Sequence, residues 1–196
     1  MKVNPRFEVF TGPMFGGKTT RLLSALERYQ YQNKNLILFK PKIDVRYSRD
    51  SVMTHSGIKW SKHNSANFNK VIRVSNGEEM FSCFENLDRE YQIDVVAVDE
   101  VFMVDGSADK LIEIYKMGKT VLVSSLQLSS AGEPYEEMLK ILPWATSVQI
   151  CPAVCEICGE DAFFTKKIAG ANENLIEVGG AELYQPRCFA HFHSDG

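Results

Sequence analysis

Residues 12–19 read Gly-Pro-Met-Phe-Gly-Gly-Lys-Thr, and this stretch says more about the fold than any other. It matches the pattern GxxxxGK[ST], follows an apolar run at 7–10 and precedes a segment with helical periodicity. In that context the glycines let backbone N–H groups curl around phosphate oxygens, helped by the positive end of the helix dipole. Lys18 reaches the outer phosphates and the Thr19 hydroxyl ligates Mg²⁺. The stretch predicts a phosphate-binding loop, the alternative being an ordinary glycine-rich turn.

Short apolar runs alternate with helix-compatible segments along the first three quarters of the chain. The runs lie at 7–10, 36–39, 71–74, 94–98, 120–124 and 147–150, and the helical segments at 19–31, 78–91 and 108–117. The first helical segment places Leu22, Leu23 and Leu26 on one face. Such alternation predicts an α/β fold of the P-loop type, a parallel sheet with flanking helices on both faces.

The character of the sequence changes after position 150, where glycines and cysteine pairs replace the long periodic segments. We therefore predict a P-loop ATP-binding α/β domain at 1–150 and a small zinc-ribbon domain at 151–196. The segment 44–69 is polar and irregular, and we interpret it as a long loop rather than a third domain.

Composition excludes several classes of protein. The 196 residues include 22 Lys and Arg against 25 Asp and Glu, a net charge of −3, which argues against a protein that coats nucleic acid or an anionic membrane. The apolar runs fall far short of the roughly 18 residues of a membrane span. The first ten residues lack the continuous apolar stretch of a secretory signal. We expect a cytoplasmic protein without a nucleic-acid or membrane partner.

The apolar run at 94–98 is followed directly by two acids, Asp99 and Glu100. Asp99 is the candidate to hold Mg²⁺ beside the phosphates, and Glu100 is a candidate general base in the crevice at the strand end. A kinase base takes its proton from a hydroxyl and an ATPase base takes it from water, so the pair alone leaves both reactions open. Two acids that simply end a strand at the surface are the third interpretation.

Two ligand pairs lie near the end of the chain, Cys155 with Cys158 and Cys188 with His191, separated by 29 residues. Four such ligands predict a closed tetrahedral zinc site that contributes folding energy and leaves no open position for chemistry. The alternative is a set of unrelated reduced thiols. We interpret Cys151, which ends a strand, as a core thiol that is near enough to substitute as a ligand.

With these motifs in place, the chain resembles the zinc-containing type II thymidine kinase family. The matching stretches are 12–20 (GPMFGGKTT), 42–47 (KIDVRY), 54–57 (THSG), Asp99-Glu100, 132–135 (GEPY), both ligand pairs, 164–167 (FTKK), and Gly179-Gly180 with Tyr184. The resemblance implies ATP, Mg²⁺ and structural Zn²⁺, with transfer of the γ-phosphate to the 5′-hydroxyl of thymidine or deoxyuridine in nucleotide salvage and DNA precursor synthesis. It also implies a homotetramer and feedback inhibition by the end-product triphosphate.

The resemblance also implies roles for individual residues. Glu100 is the expected base, and a loop at 165–184 is expected to cover the nucleoside and exclude water, although the same segment also fits a plain hairpin of a zinc ribbon. The implied ATP site comprises Gly12, Pro13, Met14, Phe15, Gly16, Gly17, Lys18, Thr19, Thr20 and Asp99, of which Thr19 and Asp99 hold Mg²⁺. The implied nucleoside site comprises Met14, Asp44, Arg46, Met103, Leu126, Tyr135, Thr165, Leu175 and Tyr184.

Two stretches depart from the family pattern. Residues 101–103 read Val-Phe-Met where members usually have a glutamine and two aromatics, and residues 125–130 read Ser-Leu-Gln-Leu-Ser-Ser where they have GLDxDF. An acid and an aromatic are thus absent near the base pocket, so we expect selection of pyrimidine deoxynucleosides by size and backbone hydrogen bonds. Two rival functions remain, an ATPase that acts on nucleic acid and a nucleotide-binding subunit without turnover.

Overall fold

The computed structural model describes residues 4–44, 67–169 and 178–194. One sheet runs through it, built from β1 Phe7–Thr11, β2 Leu36–Pro41, β3 Asn69–Val74, β4 Val95–Val98, β5 Thr120–Ser125 and β6 Ser147–Ile150. The strand order is β3-β2-β4-β5-β1-β6, and every neighbouring pair is parallel. The predicted parallel α/β sheet is confirmed.

Helices cover both faces of this sheet, as predicted. They are α1 Lys18–Tyr31, α2 Gly77–Tyr91, α3 Ser107–Lys116 and α4 Glu136–Ile141, with 3₁₀ turns at Val101–Met103 and Leu142–Trp144. Leu26 of α1 packs in the same buried cluster as Leu38 of β2. The next strand residue, Phe39, belongs to the cluster on the opposite face, together with Phe84 of α2. Since successive strand residues point to opposite faces, the central strands are apolar throughout.

The predicted element positions need small corrections. The strand expected at 94–98 begins at Val95, and the Asp94 carboxylate before it accepts hydrogen bonds from Lys34 Nζ and the Asn35 N–H, both at 3.0 Å. Helix α4 was not predicted. Most of the predicted loop 44–69 lies outside the described residues.

A small module follows the sheet. Antiparallel strands β7 Ala153–Val154 and β8 Asp161–Ala162 form one pair, β9 Phe164–Lys167 and β10 Tyr184–Arg187 form another, and α5 Phe189–His193 ends the described chain. The expected nucleoside-covering loop at 165–184 therefore begins in β9 and ends in β10, and its residues 170–177 are not described. None of the helices in the described ranges combines the length and apolar composition required to cross a bilayer.

The buried carboxylate of Glu137, which belongs to α4, caps the N-terminus of α3. Glu137 accepts hydrogen bonds from the Gly106 N–H at 2.8 Å, the Ala108 N–H at 2.5 Å and the Ser107 hydroxyl at 3.2 Å. The residue at the N-cap position of α3 is Gly106, which has no side chain to do this. Glu137 therefore satisfies the free N–H groups of the helix start and places negative charge at the positive end of its dipole.

We expect Glu137→Ala to lower the free energy of unfolding by about 2–4 kcal/mol, because three donors lose a charged acceptor. Urea unfolding followed by circular dichroism measures this change. Glu136→Ala is the matched control, since Glu136 is exposed and pairs only with Lys140 one turn away at 3.0 Å. Its effect should stay below about 0.5 kcal/mol. Equal losses for the two variants would show that the cap contributes nothing.

Candidate active site

The predicted phosphate loop connects β1 to α1. Gly12 and Gly17 have positive φ angles of 140° and 75°, which a residue without a Cβ adopts at little cost. Phe15 also has a positive φ, 66°, without that freedom. The Lys18 ammonium is buried and donates to the Pro13 carbonyl oxygen at 2.6 Å, so its positive charge lies within the loop. The sequence motif thus has the shape expected of a phosphate cradle.

Asp99 lies directly after β4 and faces the phosphate loop. Its Oδ1 accepts a hydrogen bond from Thr19 Oγ1 at 2.9 Å and another from the Ser124 hydroxyl. Its Oδ2 lies 3.4 Å from Lys40 Nζ, and the side chains of Asp99 and Lys40 are only 2% and 4% exposed. A carboxylate this deeply buried requires such partners to remain charged. The two residues predicted to hold Mg²⁺, Thr19 and Asp99, are therefore in direct contact.

Glu100 occupies a left-handed backbone conformation, with φ 56° and ψ 51°, at the start of the 3₁₀ turn Val101–Met103. This region is unusual for a residue with a long side chain, and such strain of roughly 1–2 kcal/mol concentrates at functional sites. The Glu100 N–H donates to Ser124 Oγ at 3.2 Å, and the same hydroxyl donates to Asp99. Ser124 therefore fixes Glu100, the predicted base, relative to Asp99, the predicted Mg²⁺ ligand.

Two packed aromatic side chains, Phe102 and Tyr135, lie close to Glu100. Burial raises the pKa of the Tyr135 phenol well above its usual range, and the nearby charges of Tyr184 and Glu100 raise it further. The Tyr135 hydroxyl therefore stays neutral at physiological pH, where it is able to donate a hydrogen bond. The rings of Phe102 and Tyr135 lie 4.5 Å apart, centre to centre. Phe102, one of the residues that departs from the family pattern, thus packs against Tyr135 within the core.

The structure brings together most of the residues predicted for the nucleoside site. Leu126 and Tyr135 belong to one buried cluster, and Met14 and Met103 pack against its edge. Thr165 is joined to Met14 by a hydrogen bond of 2.9 Å from the Met14 N–H to Thr165 Oγ1.

The other predicted nucleoside-site residues are less completely placed. Asp44 is buried just beyond β2, at the carboxyl edge of the sheet where ligands of such folds bind. Its carbonyl oxygen accepts a hydrogen bond from the Arg73 guanidinium at 2.7 Å. Arg46 and Leu175 lie outside the described residues.

Two residues of the site were not found from the sequence. Lys40 ends the apolar run of β2 and compensates the charge of Asp99 from the neighbouring strand. Ser124 is the last residue but one of β5 and joins Asp99 to Glu100. In the sequence, each of them is visible as a polar residue near the carboxyl end of a buried strand. The order of the strands in the sheet is needed to show which acidic side chain that residue contacts.

The four predicted zinc ligands converge in the small module. Cys155 and Cys158 lie between β7 and β8, and Cys188 and His191 lie at the start of α5. The ligand atoms of all four are within 4.8 Å of one another. Cys158 Sγ and Cys188 Sγ are 3.7 Å apart, and His191 Nδ1 is 3.6 Å from Cys155 Sγ and 3.2 Å from Cys188 Sγ. A tetrahedral zinc requires about 3.8 Å between sulfurs and about 3.5 Å between sulfur and nitrogen.

The environment of Cys155 favours the thiolate that a metal requires. Burial opposes ionisation, but hydrogen bonds from the backbone of Cys188, Ile157 and Cys158 outweigh it and lower the pKa of the Cys155 thiol to about 5. Cys151 instead lies in the core cluster beneath α1, and burial raises the pKa of its thiol. Its interpretation as a core thiol is confirmed.

We expect the purified protein to contain one zinc per chain, because the four side chains match the coordination geometry of that ion. Elemental analysis after gel filtration measures the content. Cys158→Ser should reduce it several-fold, whereas Cys83→Ser, a change on α2 outside the ligand cluster, should leave it unchanged. A content well below one equivalent in the unaltered protein would contradict the assignment.

Comparison with known proteins places this arrangement in a family. The sequence profile of the family described as thymidine kinase matches residues 6–192. A thymidine kinase from Pyrobaculum aerophilum is 35% identical over 191 residues, which cover 94% of this chain and 96% of that protein. Both similarities extend over the phosphate loop, the paired acids and the cysteine-rich module, and the chain therefore belongs to the thymidine kinase family.

Proposed function

We propose that the protein transfers the γ-phosphate of ATP to the 5′-hydroxyl of thymidine or deoxyuridine. The observation that carries this is the direct contact between the phosphate loop and the strand end that bears both acids, Thr19 Oγ1 to Asp99 Oδ1 at 2.9 Å, close to two packed aromatic side chains. Membership of the thymidine kinase family supports the same activity. In the cell this reaction would serve nucleotide salvage and DNA precursor synthesis.

Thr19 and Asp99 are proposed to hold Mg²⁺ against the phosphates. A hydroxyl and a carboxylate are the hard oxygen ligands that this ion prefers, and they already lie within hydrogen-bond distance. When bound, the ion neutralises charge on the phosphate oxygens as the leaving group departs. Lys40 places an opposite charge 3.4 Å from the buried Asp99 carboxylate, which offsets part of the cost of burying it. The Lys18 ammonium and the loop N–H groups stabilise the remaining negative charge.

Glu100 is proposed as the general base. Its carboxylate accepts the proton of the 5′-hydroxyl while the oxygen attacks the γ-phosphorus and ADP leaves with its oxygen. The left-handed backbone and the hydrogen bond to Ser124 hold the residue beside the metal site. The proposal requires that this position lie within reach of the reacting hydroxyl, which is the first requirement for a base.

The nucleoside is proposed to bind among the aromatic and apolar residues next to Glu100. The neutral Tyr135 hydroxyl offers a hydrogen-bond donor, and Leu126 and Met14 offer apolar contact. The complete proposed lining is Met14, Asp44, Arg46, Met103, Leu126, Tyr135, Thr165, Leu175 and Tyr184. A segment between β9 and β10 is proposed to cover the bound nucleoside.

Two further proposals, a homotetramer and inhibition by the end-product triphosphate, follow from the family resemblance. Two others, a division of the chain at position 150 and a cytoplasmic location, follow from the sequence itself. One structural feature supports assembly of copies. Among the strands that the structure describes, β6 pairs with β1 alone, and all four of its residues are exposed, including the apolar Val148 and Ile150. Its free edge is suited to adding a strand from another copy.

The function is tested by incubating the protein with ATP, Mg²⁺ and each deoxynucleoside, and by measuring monophosphate formation. We expect thymidine and deoxyuridine to give the highest kcat/KM, because a pocket lined by buried tyrosines excludes the larger purine ring. Purine deoxynucleosides that react as fast as thymidine would contradict the substrate assignment. ATP hydrolysis stimulated by single-stranded DNA, without nucleoside phosphorylation, would replace the kinase by an ATPase.

Glu100→Gln should lower kcat by about 10²- to 10⁴-fold, since general-base catalysis contributes that much and the amide cannot accept the proton. Nucleotide affinity, measured by calorimetry, should change little. Glu133→Gln, a change at an exposed acid in the turn after β5, is the control and should retain normal kcat. If Glu100→Gln keeps more than about a tenth of kcat while chemistry limits the rate, Glu100 is not the base.

A further inference from the structure

The side chain of one phosphate-loop residue points away from the proposed nucleotide and into the small module. Phe15 packs against a buried cluster formed by Ala153, Cys155 and Ala162, and Cys188 packs against the same cluster. Cys155 and Cys188 are two of the four proposed metal ligands. The Phe15 ring therefore packs against the residues that surround the proposed metal site.

A hydrogen bond makes a second connection between the loop and the module. The Met14 N–H, one residue before Phe15, donates to Thr165 Oγ1 at 2.9 Å. Thr165 lies in β9 and is only 4% exposed, so the bond is shielded from water. The Met14 N–H of the phosphate loop is therefore bonded to a strand of the small module.

The chain that leads into the module supports the loop from below. A Cβ on Gly12 or Gly16 would overlap the Cys151 carbonyl oxygen, so the two backbones are in direct contact. The Cys151 N–H donates to the Thr11 carbonyl at 2.7 Å, and two residues later the chain enters β7. The loop is thus held between the end of the sheet and the start of the metal module.

These contacts explain how Phe15 is kept in its unusual backbone conformation. A residue with a side chain leaves the left-handed region unless its surroundings hold it there. The surroundings of Phe15 are the two cysteine segments, which a bound metal fixes in place. The loop conformation that presents N–H groups to phosphate therefore depends on a cluster that takes no part in the chemistry.

We propose that Phe15 is a positioning residue that couples the metal cluster to phosphate binding. The inference rests on the metal and nucleotide sites proposed above. Metal bound to the cluster stabilises the loop through Phe15 and so raises nucleotide affinity. Because coupling between two sites is reciprocal in binding free energy, bound nucleotide must raise the affinity for the metal by the same factor. Nucleoside affinity alone does not report this effect.

The first experiment measures ATP affinity by calorimetry, with Mg²⁺ in excess, before and after removal of zinc by a chelator. In the unaltered protein, chelation should weaken ATP binding at least about fivefold, the lower end of typical coupling. Phe15→Ala should bind ATP more weakly even with its zinc, and chelation should then add less than about twofold. Phe15→Leu, which keeps apolar bulk, should restore much of the dependence. Phe163→Ala, at a partly exposed aromatic of the same module, should behave like the unaltered protein.

The second experiment titrates the zinc-loaded protein with a chromogenic chelator to equilibrium, so it measures zinc affinity and begins from the folded, metal-bound form. Saturating Mg²⁺–ATP should protect the zinc by raising its affinity at least about fivefold in the unaltered protein and less than about twofold in Phe15→Ala. Equal protection in both proteins would overturn the role of Phe15, and no protection in the unaltered protein would overturn the coupling itself. A protein without zinc, or one that does not bind ATP, would instead refute the proposed sites.

Discussion

The charge of Asp99 lies where water does not reach, and the site is arranged around that constraint. A buried carboxylate must receive hydrogen bonds or an opposite charge, and Asp99 receives both. Its partners come from three other elements, Thr19 from α1, Ser124 from β5 and Lys40 from β2. Those contacts exist only because β4 lies between β2 and β5, with α1 beginning beside its end. The electrostatics of one residue thus fix the relative positions of four elements.

Two residues of the site have strained backbone conformations. Glu100 follows Asp99 directly and is held in a left-handed conformation by the adjoining turn and by Ser124. Phe15 occupies the same backbone region across the site, where the metal module supports it. Each strained residue thus lies beside a rigid support, which is what a preorganised site requires.

Local patterns were sufficient to predict the sheet because parallel strands that are buried on both faces read as continuous apolar runs. The phosphate loop, the acid pair and the four metal ligands were also visible, since each is set by spacing along the chain. Helix α4 escaped detection because it has only six residues and depends on the contact of Glu137 with α3. Lys40 and Ser124 escaped because their roles depend on which strands are neighbours. Features set by spacing along the chain could therefore be predicted, whereas contacts that depend on which elements are neighbours in the fold could not.

The position of β1 in the sheet has a consequence for biosynthesis. This strand leads into the phosphate loop, yet it pairs only with β5 and β6, and the Cys151 backbone bonds to its last residue. Chain elongation at about 5–20 residues per second separates β1 from β6 by roughly 7–30 s. The nascent loop therefore has no sheet edge to fold onto until nearly the whole α/β region has left the ribosome, and ATP stabilises only chains that have passed that point.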